Sequence, residues 1–273
     1  MAHRIKAIVF DWAGTMVDFG CLAPVRALQS LLAAHHIDAT ETEVRADMGK
    51  AKHAHIAALL ALPRLADQWR AATGRDAAPS DIDMLHDKVG PLMIAAAAEC
   101  AALIPGALET LAWARGRGIK IGSNTGYTRE MMDAIVPAAA AQGYVPEMIV
   151  CSGETAEGRP APLMLWKIMA ELGVWPASAC VKVDDAPVGI AEARNAGTWA
   201  VGVAASGNGV GLDAAGLAAL LPAEREARVG EARAALLAAG AHLVIDSVAD
   251  LPDAIAQIEA GAVKNGQIGD QSA

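Results

Sequence analysis

Apolar and β-branched side chains dominate residues 5–10, and the run stops at Asp11-Trp12-Ala13-Gly14-Thr15. An apolar run of that length closed by a turn is the pattern of a strand buried on both faces. Residues 119–123, 148–151, 179–183, 199–203 and 242–245 repeat it. Helical periodicity occupies 108–117, 129–142, 163–172, 188–195 and 250–259. Strands alternating with helices predict an α/β fold with a doubly wound, Rossmann-like parallel sheet. Between residues 20 and 104 the alternation ceases, and segments 24–36, 44–60, 63–73 and 80–100 show helical periodicity alone. This predicts an all-helical cap over 21–103, inserted into a core formed by 1–20 and 104–273, with hinges at 19–23 and 101–105. An Ala- and Leu-rich stretch at 212–239 reads as two helices broken near Pro222, and periodicity fades from Gly261 onwards, where the chain is expected to fray.

Composition adds constraints to this outline. The chain has 273 residues, 54% hydrophobic but only 4% aromatic, so Ala, Leu, Val and Ile must supply most of the core. Mean hydropathy is positive at +0.31, yet no apolar run approaches the roughly 20 residues that span a bilayer. The longest candidate, 92–104, is interrupted by Glu99. The first apolar run ends too soon, at Asp11, to form a secretory leader. A soluble cytoplasmic protein is the expectation, with reduced thiols because the four cysteines are scattered without metal-binding spacing. A net charge of −9 argues against a nucleic-acid partner. An anionic ligand would therefore be held by a few local cations or a metal.

In an open α/β sheet, ligands bind beyond the carboxyl ends of the strands. The polar residues there are Asp11, then Ser123-Asn124-Thr125-Gly126, then Gly158-Arg159-Pro160, then Asp184-Asp185. Asp11 can act as nucleophile or metal ligand, and Asp185 can share a hard cation such as Mg²⁺ with it, since two carboxylates and a backbone carbonyl suffice for an ion that keeps several waters. Ser123 or Thr125 can donate to phosphoryl oxygens, and Arg159 can neutralise charge on a transferring phosphoryl group. Together they describe a phosphoryl-transfer site.

This order of motifs resembles the haloacid dehalogenase superfamily. Its usual opening is Asp-x-Asp-Gly-Thr, whose second Asp protonates a leaving oxygen, but Ala13 stands in that place here. An alkoxide leaving group needs such a proton. The segments Phe10-Asp11-Trp12-Ala13-Gly14-Thr15, Met48-Gly49 with Lys52 and His55, Thr125-Gly126-Tyr127-Thr128-Arg129-Glu130, Gly158-Arg159-Pro160 and Lys182-Val183 with Asp185 are similar to the branch that cleaves the carbon–phosphorus bond of phosphonoacetaldehyde. The resemblance covers almost the whole chain.

The resemblance implies that Lys52 forms an imine with the aldehyde, giving the electrons of the breaking bond a sink, while Asp11 attacks phosphorus. It implies Mg²⁺ on Asp11, the Ala13 carbonyl and Asp185, substrate contacts from Met48, Ser123, Thr125 and Arg159, and a homodimer formed through the cap. The activity would belong to the degradation of 2-aminoethylphosphonate. On the helix expected over 44–60, Met48, Lys52, His55 and Leu59 share a stripe at about 100° per residue, and His55 can shuttle protons during imine chemistry. Gly189 stands where the superfamily often has a second carboxylate, four residues after Asp185, and Asp184 is the candidate to compensate. Two other readings fit the same residues: a phosphatase acting on another small organophosphate, and a catalytically silent relative that binds a phosphorylated metabolite or protein partner.

Overall fold

The computed structural model describes residues 4–263, so the expected fraying of the tail falls, from residue 264 on, outside the described residues. Strand β1 (Ala7–Phe10) is followed by five helices without an intervening strand: α1 (Leu22–Ala33), α2 (Glu41–Ala46), α3 (Lys52–Ala61), α4 (Pro63–Thr73) and α5 (Pro79–Cys100). Next come α6 (Ala107–Gly116), β2 (Lys120–Asn124), α7 (Arg129–Ala141), β3 (Met148–Val150), α8 (Leu163–Glu171), β4 (Cys180–Asp184) and α9 (Pro187–Ala196). The chain continues through β5 (Trp199–Val203), α10 (Ala214–Ala219), α11 (Pro222–Ala238), β6 (Leu243–Ile245) and α12 (Leu251–Glu259). No helix among the described residues is long and apolar enough to cross a membrane.

The six strands run in the order β3-β2-β1-β4-β5-β6, with every pair parallel. Strand β1 is apolar throughout because both its faces are covered. Ile8 and Phe10 enter the cluster that includes Leu111, Met132 and Ile255, while Ala7 and Val9 pack with Leu165 and Ile168 on the opposite side. Each fully buried aliphatic side chain there contributes about 1.5–3 kcal/mol. Phe10 lies in register with Ser123 on one neighbour and Val183 on the other. The ends of β1, β2 and β4 therefore lie level, with Asp11, the turn after Asn124, and Asp184-Asp185 side by side. This is also where strand order reverses, at the switch point of the sheet.

One expected helix is corrected. The segment 44–60 is not continuous: α2 ends at Ala46 and α3 begins at Lys52. Gly49 lies between them at φ +89°, in the left-handed region that interrupts an α-helix, and a Cβ on it would lie 2.7 Å from Val188 Cγ1. The turn lets residues 49 and 50 meet Gly126 of the core, whose added Cβ would lie 2.8 Å from the Gly49 carbonyl oxygen. Met48, Lys52, His55 and Leu59 thus do not form one helical stripe.

Candidate active site

A cavity beyond the ends of β1, β2 and β4 holds about 330 Å³ of space, its mouth included. The sheet side contributes Asp11, Ala13, Thr125, Gly126, Tyr127, Arg159, Asp185 and Ala186; the segments from Cys21 through Lys52 contribute Cys21, Pro24, Met48, Gly49 and Lys52. Of the residues singled out from sequence, Asp11, Ala13, Met48, Lys52, Thr125, Arg159 and Asp185 meet here.

Two others lie elsewhere. Ser123 is fully buried and its hydroxyl donates to the Phe10 carbonyl at 2.9 Å, across the β1–β2 pair. Ser123 still lies within β2, where its hydroxyl is spent on the neighbouring strand, whereas Thr125 stands just past the strand end and lines the cavity. His55 is also fully buried and its Nε2 lies 2.8 Å from the Val44 carbonyl. A carbonyl only accepts, so Nε2 carries the proton and Nδ1, which has no partner, is the free lone pair. Desolvation, with the nearby Lys52 charge second, lowers its pKa to about 3, so the ring is neutral. It is absent from the cavity lining: one turn beyond Lys52 on α3, its ring is spent on the Val44 carbonyl of α2.

Lys52 opens α3 with its side chain 2% exposed, and its Nζ lies 5.3 Å from the centre of the Tyr127 ring. Desolvation lowers the amine pKa from 10.5 to about 8, and Arg159 adds a smaller push against the opposing effects of Cys21 and Asp11. A buried lysine held near neutrality is suited to nucleophilic attack on a carbonyl.

Beneath the cavity lies a buried charge network. Arg159 Nη2 pairs with Asp11 Oδ1 at 2.8 Å and donates to the Asn124 carbonyl at 2.8 Å and its Oδ1 at 2.7 Å. Lys182 Nζ donates to the same Asn124 oxygen at 2.6 Å and pairs with Asp184 Oδ2 at 2.9 Å. Asn124 Nδ2 donates to Glu192 Oε1 at 2.8 Å. Arg159 also lies 3.1 Å from Glu192 and 3.4 Å from Asp184, but its Nε and Nη1 make no directed hydrogen bond there, so these are charge contacts. Burial opposes the Arg159 charge, yet Asp184, Asp11 and Glu192 together hold it firmly protonated.

The carboxylates respond differently. Burial raises the Asp185 pKa well above the usual range, and the charges of Asp11 and Asp184 raise it further. Asp11 is raised by burial and by Asp184, against Arg159 and Lys182. For Asp184, burial is outweighed by Lys182 and Arg159, and its pKa falls. Asp11, Asp184 and Asp185 offer oxygens within 4.8 Å of one another. Four buried carboxylates, Glu192 included, face two buried cations in this network, Arg159 and Lys182, so carboxylates outnumber cations two to one. A hard divalent cation on oxygen donors fits that deficit and that donor set.

The space beside Gly189 is taken by Asp184. A Cβ on Gly189 would lie 2.0 Å from Asp184 Oδ2, so the Asp184 carboxylate occupies the room a side chain at 189 would need. Sequence reasoning assigned no role to Asn124, Lys182 or Glu192. Lys182 carried a signal, being a charge inside a strand whose five residues are all buried; Asn124 and Glu192 carried none, because a turn Asn and a helical Glu are ordinary in sequence. Trp12 packs against Tyr144 at 4.9 Å between ring centres and does not line the cavity. Tyr127 does, and its buried hydroxyl has no partner.

A family model described as haloacid dehalogenase-like hydrolase matches residues 5–197. The phosphonoacetaldehyde hydrolase of Paraburkholderia xenovorans is 50% identical over 260 residues, 95% of this chain and 97% of that protein. That of Hahella chejuensis is 46% identical over 93% of this chain and 87% of its own. The crystal structure of a phosphonoacetaldehyde hydrolase-like protein from Oleispira antarctica superposes with a TM-score of 0.93 at 41% identity, covering 95% of this chain and 94% of that one. A β-phosphoglucomutase from Clostridium difficile, at TM-score 0.67 and 17% identity over 94% and 98% of the two chains, shares the fold.

Proposed function

Because the chain belongs to the haloacid dehalogenase-like hydrolases and, within them, to the phosphonoacetaldehyde hydrolase family, we propose that it hydrolyses phosphonoacetaldehyde to acetaldehyde and inorganic phosphate. The observation that carries the reading is a buried Lys52 amine lining the same small cavity as Asp11, with Ala13 where an acid for an oxygen leaving group would stand. The amine condenses with the aldehyde and releases water. An Asp11 oxygen attacks phosphorus; the carbon–phosphorus electron pair passes into the protonated imine, which becomes an enamine. Water cleaves the aspartyl phosphate, restoring Asp11 and releasing phosphate. Protonation of the enamine at carbon and hydrolysis of the resulting imine free acetaldehyde and Lys52, so the net reaction consumes one water.

Around these steps Arg159 and Thr125 receive the phosphonate, Met48 packs beside the imine, and neutral His55 braces α3 against α2 through the Val44 carbonyl. Mg²⁺ held by Asp11, the Ala13 carbonyl and Asp185 would supply charge neutralisation at the phosphonate oxygens. On this reading residues 1–20 and 104–273 are the core and 21–103 a cap that closes over it to exclude water; the working unit is a cytoplasmic homodimer. The phosphatase and silent-relative readings lack a use for the buried amine. Borohydride added with phosphonoacetaldehyde should fix a two-carbon adduct on Lys52, located by peptide mass spectrometry. An unmodified Lys52 in protein that turns over substrate would defeat the imine route, and preferential turnover of phosphate monoesters would favour the phosphatase.

A further inference from the structure

Arg45 of α2 does not line the cavity, yet its side chain is only 12% exposed and its donors are nearly all spent. Its Nη1 donates to the Gly20 carbonyl at 2.9 Å and the Cys21 carbonyl at 3.3 Å, on the segment that leads from the core into α1. The same nitrogen donates to Asn208 Oδ1 at 3.0 Å, and Nη2 donates to the Gly211 carbonyl at 3.2 Å, both on the loop after β5. Asn208 answers: its Nδ2 donates to the Arg45 carbonyl at 3.1 Å. Glu41, one turn earlier on α2, accepts from Nε at 2.8 Å and holds the guanidinium plane.

The other end of this contact reaches the site. The Asn208 main-chain N–H donates to Asp185 Oδ2 at 2.7 Å, and the remaining oxygen, Oδ1, accepts from the Thr15 hydroxyl at 3.3 Å. We propose that Arg45 and Asn208 are positioning residues that form a clasp, through which the seating of α2 on the core sets the orientation of the Asp185 carboxylate for its cation. The reciprocal pair and the bond to Gly211 tie the Asn208 loop to α2 at both ends of the Arg45 residue, its guanidinium and its carbonyl. The guanidinium can satisfy acceptors on two different segments at once only as a planar fork. With α2 lifted, Asn208 loses its side-chain partners and the loop no longer holds its N–H against Asp185.

The kinetic part of the test rests on the functional reading above; the binding part does not. Mn²⁺ serves as probe, its free concentration read by electron paramagnetic resonance, with Arg45→Met, Asn208→Ala and the double variant. Asn208→Ala keeps the main-chain N–H and removes only the side-chain link to Arg45. Each single variant should weaken Mn²⁺ binding by about tenfold, the low end for outer-shell partners of a metal ligand, and lower kcat more than it raises KM. The double variant should stay within about twofold of the weaker single one, since the two residues act as one device. Arg45→Lys, with charge but no fork, should recover only part of the loss. Mn²⁺ affinities within about twofold of the parent in both single variants, or losses that multiply in the double variant, would overturn the clasp. If Arg45→Met does not fold, the Mn²⁺ affinity of Asn208→Ala decides alone. Parent protein that binds Mn²⁺ but leaves phosphonoacetaldehyde intact would refute the functional reading while the Mn²⁺ comparison still tests the clasp.

Discussion

Burying Lys52 should cost stability at the pH where the enzyme works, and the cost can be read from one substitution. The amine is 2% exposed and its pKa falls from 10.5 to about 8, chiefly by desolvation. Below pH 8 the folded and unfolded chains both carry the proton, and the folded one holds a charge it disfavours by about 3 kcal/mol, at about 1.4 kcal/mol per pH unit. Between 8 and 10.5 the unfolded chain binds more protons than the folded one, so native stability rises with pH. Lys52→Met keeps the length of the side chain and removes the charge. In cation-free buffer it should raise stability at pH 7 by up to about 3 kcal/mol, and the gain should shrink by about 2 kcal/mol by pH 9.5. Urea unfolding of both proteins at the two pH values measures this, and the variant should be inactive at each. A variant less stable than the parent at pH 7, or a difference that does not change with pH, would refute the argument that desolvation tunes the amine.

Two further outcomes follow from the site. Thr125→Val should lower kcat/KM by at least about tenfold by removing a cavity hydroxyl, whereas Ser123→Ala should cost about 1 kcal/mol of stability for the lost bond to Phe10 with smaller change in kcat/KM; steady-state kinetics beside urea unfolding distinguishes them, and the reverse ranking would mean that Ser123 faces substrate. Gly189→Asp alone should weaken Mn²⁺ binding because its side chain collides with Asp184, while Asp184→Gly combined with Gly189→Asp should recover affinity; a harmless single substitution would show that the two positions do not compete for space.

Much of the fold was legible because both periodicities follow from burial. Strand β1 shows as an apolar run since the sheet is covered on both faces, and the helices between the later strands show as amphipathic repeats. The break at Gly49 was not legible from periodicity, because Val44, Met48, Ile56 and Leu59 are all buried whether the chain is one helix or two. Only the approach of Gly49 to Gly126 and Val188 demands the turn. His55 does share a face of α3 with Lys52, but it stands one turn further along that helix, where its ring meets the Val44 carbonyl of α2 and not the cavity; periodicity gives the face and not the position along it.

By itself the sequence determined which groups could do chemistry and on which strand ends they would stand, since strand order and the residue after each strand are local properties. Asp11, Thr125, Arg159 and Asp185 were available from that alone, while Lys52, on a helix, was marked only by the resemblance. Tertiary structure decided which hydroxyl faces the cavity, that Asp184 fills the room above Gly189, and that Asn124, Lys182 and Glu192 hold Arg159 in place. These are matters of distance between segments far apart in the chain. The desolvation that lowers the Lys52 pKa also comes from its packed surroundings, so no local pattern of residues can record it.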